Sequence, residues 1–162
     1  MFDKFGELNY EGLNAAAAGQ KAEGDLESLK ALAVENGLDP EDAEDYYDAP
    51  AGQLCPNPFM AASAKLKIET KDLQLPGLLQ DWVNLIIEEC QKDDQLSLAV
   101  REPQNELLKA MAKILKKSFD TKTRMDDRIV KAAGLNTPIY FGIPGRKDVK
   151  QIIREYYLGG AE

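Results

Sequence analysis

Apolar residues recur at three- and four-residue spacing along most of the chain, the period of helices that bury one face. The strongest run, Leu78, Leu79, Trp82, Val83, Ile86, Ile87 and Cys90, predicts an amphipathic helix over about 77–91 that organises a core. A second run, Leu107, Leu108, Met111, Ile114, Leu115 and Phe119, predicts a helix restarting at Pro103, with these side chains inward and Lys109, Lys113, Lys116 and Lys117 outward. Val149, Ile152, Ile153, Tyr156 and Tyr157 predict a last helix over about 146–158. Ahead of these, Asn9, Asp25 and Asp39 stand where N-caps belong, before helices at about Tyr10–Glu23, at Leu26–Asn36 and at a short third element opened by Pro40. Gly24 and Gly37 are the stops between them. Asn57 and Pro58 open a helix through Phe59, Ala62 and Leu66, Asp94 caps a short one ending near Arg101, and Gly134 ends another over about 126–133. Only KLKIET, residues 65–70, alternates with the period of a short strand. The pattern predicts an all-α protein of about seven or eight short helices, with room for one minor two-stranded β element.

The segment APAGQLCPN, residues 49–57, is rich in proline and glycine and reads as a linker. It divides the chain into an acidic three-helix N-terminal unit, residues 1–48, and a helical C-terminal domain, residues 58–162, with a basic surface. A chain of 162 residues buries about 70% of its unfolded surface, enough for a core without staples. No apolar run approaches the ~18 residues of a membrane span, and MFDKFGELNY has no apolar signal region, so a soluble cytoplasmic chain is expected. Cys55 and Cys90 lie far apart in sequence without a CxxC, which predicts two buried, idle thiols.

The chain contains no histidine, and this removes the imidazole on which serine and cysteine triads, most zinc centres and most neutral-pH proton shuttles depend. Carboxylate or lysine chemistry is what remains. Glu69-x-Lys71 follows the possible strand as in nucleases with a carboxylate–metal–lysine site, and Asp45 or Asp48 could share a Mg²⁺ with it. Asp120-Thr121-Lys122 fits the same loose pattern by chance. In a chain with 28 carboxylates such matches carry no weight, so no enzyme, metal or cofactor is predicted.

Charge separates along the sequence. Residues 1–64 hold 13 acidic and 3 basic side chains, whereas residues 109–154 hold 12 basic and 4 acidic. Such asymmetry points to charged partners, or to two ends of one chain that neutralise each other. The N-terminal helices have helix-turn-helix spacing around Gly37, but DPEDAEDYYD puts Asp39, Glu41, Asp42, Glu44, Asp45 and Asp48 on the element that would enter DNA. Phosphate would be repelled. Glu41 and Asp42 favour the positive end of their own helix, but the later acids do not; an acidic face that imitates a nucleic-acid backbone and docks in a basic groove explains all six. At the other end, GIPGRKD supplies Gly142 and Gly145 for close backbone approach, and Arg146, Lys147, Lys150 and Arg154 add cations at a helix start. With Lys113 and Lys117 these form a candidate nucleic-acid site. The turn departs from the Gly-apolar-Gly of a helix-hairpin-helix by one residue, so a proline-stiffened helix start with exposed cations is the competing reading.

The stretches MFDKFGELNYEGLNAAAAGQKAEGDLESLKALAVENGLDPEDAEDYYD and GIPGRKDVKQIIREYYLGG resemble small helical proteins carried by phages and conjugative elements of gut Firmicutes, among them anti-CRISPR inhibitors of type II effector nucleases. The resemblance covers about the first 48 and the last 25 residues well and the middle loosely. It implies a partner, a type II CRISPR effector nuclease with its guide RNA, whose channels are positively charged because they hold nucleic acid. It brings no catalytic motif and assigns no residue. The alternative it leaves open is an accessory protein of the same mobile elements that binds DNA or RNA through the basic C-terminal half.

Overall fold

A computed structural model describes residues 8–159. In chain order the elements are α1 (Tyr10–Glu23), α2 (Leu26–Glu35), α3 (Pro40–Asp48), α4 (Pro58–Leu73), α5 (Gly77–Cys90), α6 (Asp94–Arg101), α7 (Leu107–Asp120), β1 (Thr123–Arg124), α8 (Asp127–Ala132), β2 (Tyr140–Phe141) and α9 (Arg146–Leu158). The protein is all-α with one two-stranded antiparallel sheet, in which Thr123 opposes Phe141 and Arg124 opposes Tyr140. No described helix is long and apolar enough to cross a membrane.

Several helix starts are capped by side chains. Asn9 accepts the Gly12 N–H at 2.9 Å, Asp25 that of Ser28 at 2.9 Å and Asn57 that of Met60 at 2.9 Å. The cap of α6 is Asp93, one residue before the expected Asp94, and it accepts from Gln95 and Leu96. KLKIET is no strand: α4 runs through it to Leu73, and the β element lies instead at residues 123–124 and 140–141. The alternation misled because Lys65 is buried while Lys67 is exposed.

Two hydrophobic clusters meet on α4. The first gathers Leu13, Ala17, Leu29, Ala33, Ala43, Tyr46, Leu54 and Cys55 with Ala61 and Ala64 of α4. The second gathers Trp82, Ile86, Leu96, Val100, Leu107, Ile114, Val149 and Ile153 with Ala62 and Leu66 of α4. The segment 49–57 therefore does not run as an open linker. Leu54 and Cys55 are buried, and the Asn14 amide holds the Cys55 backbone on both sides, donating to its carbonyl at 3.1 Å and accepting its N–H at 2.8 Å. Both thiols are free and buried, and burial pushes Cys55 up to about 11 and Cys90 to about 12.

Between the clusters sit two fully buried cations. Lys65 donates to the carbonyls of Val100 at 2.9 Å, Glu102 at 2.7 Å and Asn105 at 2.7 Å, at the C-terminal end of α6 and in the turn after it, where carbonyls lack helical partners. That capture, with the Asn105 amide donating to the Ala99 carbonyl at 2.8 Å, shapes residues 102–106 into a turn and delays α7 from Pro103 to Leu107. Arg101 donates to the carbonyls of Leu8 at 3.0 Å and Ala61 at 3.2 Å, and to the Asn36 side-chain oxygen at 2.7 Å. One guanidinium thus ties α6 to the approach of α1, the end of α2 and α4.

Candidate functional site

On α3, Ala43 and Tyr46 are buried, and on a helix of 3.6 residues per turn that leaves Glu41, Glu44, Asp45 and Asp48 on the opposite arc at i, i+3, i+4 and i+7. All four are exposed. The six carboxylates expected to act together divide. Asp42 turns back to accept the Asp39 N–H at 3.1 Å, Asp39 meets Lys67 of α4 at 3.2 Å, and Glu44 pairs with Lys30 of α2. Glu41, Asp45 and Asp48 pair with no described residue.

The cations nearby are occupied. Residues 8–64 contain only Lys21 and Lys30 as basic side chains. Lys21 crosses from α1 to the carbonyl end of α3, donating to Tyr46 at 2.6 Å and Ala49 at 2.5 Å, with its ammonium 4.5 Å from the Tyr46 ring centroid. A cation at the negative end of a helix supports it. Lys30 is held above the ordinary lysine range by its hydrogen bond to Glu44. The outward face of α3 keeps its acidity because the local lysines have structural work.

The basic candidates fall on two sides of α9. Arg146, Lys150 and Arg154 form the side turned to α5, where Arg146 pairs with Glu88, Lys150 meets Glu89 at 2.8 Å and Arg154 meets Asp93 at 2.5 Å. Hydrogen bonding from Lys150 holds the Glu89 carboxyl below its usual range, and Arg154 does the same for Asp93. These three cations clasp α9 to the end of α5 and the cap of α6. Lys147 has no ion pair to a described residue. On the other side of α9, Lys113 and Lys117 line a groove of about 430 Å³ between α7 and α9, facing Asp148, Glu155 and Tyr156.

GIPGRKD, too, is built for packing. A Cβ on Gly142 would lie 2.4 Å from the Ser118 carbonyl oxygen, so β2 abuts the end of α7 only because residue 142 has no side chain. Pro144 is buried, while a Cβ on Gly145 would meet nothing within 4 Å. The stretch serves as a helix start and a packing joint.

Glu69 turns inward to accept the Leu107 N–H at 3.1 Å, and burial pushes its carboxyl above the ordinary range. Lys71 is exposed, so the two do not form a joint centre. No group of three or more Asp, Glu or Cys among the described residues is placed to hold a metal.

Sequence periodicity missed one surface. On α7, Leu107, Met111 and Ile114 are buried as expected, but Leu108, Leu115 and Phe119 are exposed. Tyr140 and Phe141 of β2 and Ile143 just after it are exposed as well. The signal available was the Tyr-Phe pair between Pro138 and Gly142, in a segment flanked by proline and glycine where no helical stripe could bury it. No protein-family model, no curated protein and no solved structure matches the chain, so the charged and aromatic surfaces carry the functional reading.

Proposed function

We propose that the chain is an inhibitory binding protein whose α3 face occupies a cationic nucleic-acid channel of a type II RNA-guided nuclease and blocks DNA binding or cleavage. The observation that carries this reading is the outward arc Glu41, Glu44, Asp45 and Asp48, of which only Glu44 has a cationic partner among the described residues. Its magnitude can be compared with the ligand it would replace. Seven residues of helix span about 10 Å, and three net charges over that length match the roughly 3.4 Å per charge of a single nucleic-acid strand. Duplex DNA carries about twice that density, so a guide or displaced strand is the better object of imitation. The resemblance at both chain ends supplies the class of partner, and the positive channels of such nucleases supply the complementary surface.

The test uses E41K/D45K/D48K, which leaves the Asp42 cap and the Lys30–Glu44 pair in place. The variant is expected to fold with unchanged helicity and to lose inhibition of DNA cleavage, with the association rate falling at least about tenfold at low salt. Neutralisation in E41Q/D45N/D48N should give a smaller loss and a flatter salt dependence. Full inhibition by the lysine variant would end the proposal.

A further inference from the structure

We infer that β1, β2 and the end of α7 form a second binding surface, a platform for single-stranded nucleic acid. It goes beyond the reading above and needs no nuclease. Phe119 is 67% exposed, and the Lys122 ammonium stands 5.0 Å from its ring centroid. Cross-strand neighbours share a face of a sheet, so Arg124 lies beside Tyr140, which is 56% exposed. Lys122, at the Phe119 ring, directly precedes β1 and so joins that ring to the strand that carries Arg124. Each of the two exposed aromatic residues thus has a cation beside it. The close seat of Gly142 on Ser118 fixes this sheet against α7.

Electrostatics selects the ligand. Residues 113–147 hold nine cations and three carboxylates within a chain of net charge −8. Lys113, Lys117, Lys122, Lys131 and Lys147 pair with no described carboxylate, whereas elsewhere among the described residues only Lys71 has neither a carboxylate nor a carbonyl partner. Arg124 pairs with Asp127 at 3.1 Å, but that contact is exposed and easily exchanged for phosphate. Protein interfaces are depleted in lysine, so rings set among unpaired lysines fit a polyanion with stackable bases. At physiological salt screening acts over about 8 Å, so the local field is set by charges within that reach and not by the net charge of the chain.

The experiment is fluorescence anisotropy of a labelled 15-nucleotide oligo-dT with the full chain alone in 50 mM salt, repeated with oligo-rU and with a duplex. Binding at about 1–100 µM, weakening as salt rises, is expected for the single strands, with the duplex weaker. F119A/Y140A, both at exposed positions, should keep its thermal midpoint and weaken binding about tenfold or more. K117E/K122E should flatten the salt slope. No binding at 50 mM salt, equal affinity for the duplex, or unchanged affinity of F119A/Y140A would overturn the inference. So would a concentration-dependent dimer of the wild type that F119A/Y140A dissociates, since the surface would then belong to a second copy.

Discussion

Replacing Arg101 with alanine is expected to lower the thermal midpoint by about 6–20 °C, the shift that a loss of about 3–5 kcal/mol produces in a chain of this size. Arg101 is fully buried and bonds to Leu8, Asn36 and Ala61, residues that approach from three different segments. Truncation strands their oxygens away from water and leaves a void where a large side chain stood. Burial draws the guanidinium down to about 10, still well above neutrality, so a buried charge and its hydrogen bonds are lost together. Arg101→Lys keeps the charge but lacks the planar fork that reaches several acceptors at once, and its loss should be intermediate. Circular dichroism at 222 nm through a thermal ramp measures both variants. A midpoint for R101A within about 2 °C of wild type would show that the cation contributes little beyond filling space.

Gly37→Ala is expected to cost about 2–5 kcal/mol, the sum of a left-handed alanine and an overpacked contact. Gly37 has φ +82°, and a Cβ there would lie 2.3 Å from the Ala64 carbonyl oxygen and 2.9 Å from its carbon. Those are backbone atoms of α4, which cannot swing aside as a side chain can. Gly134→Ala is the control: its φ is +72°, but a Cβ would touch nothing within 4 Å. It should lose only about 1–2 kcal/mol. Urea titration of the two variants separates backbone strain from collision, and equal losses would rule the collision out.

Local chemistry made most of the fold legible. Asn9, Asp25, Asn57 and Gly24 mark helix ends because caps are satisfied within a few residues of themselves. What sequence could not reveal depends on distant partners. Lys65 and Arg101 look like surface residues in a list of letters, and only the carbonyls they meet from other segments explain their burial. The outward arc of α3 was readable as acidic, but the commitment of Asp39, Asp42 and Glu44 to Lys67, the Asp39 backbone and Lys30 was not. For the same reason the sequence does not show that Arg146, Lys150 and Arg154 of α9 face Glu88, Glu89 and Asp93. Phe119 obeys a helical period yet faces outward, because periodicity marks a stripe without showing how wide a strip the neighbours cover.

The placement of α4 has a thermodynamic corollary. Ala61 and Ala64 belong to one apolar cluster, Ala62 and Leu66 to the other, so neither cluster can melt without exposing part of the same rod. Scanning calorimetry should accordingly record one endotherm whose van't Hoff and calorimetric enthalpies agree, rather than a doublet.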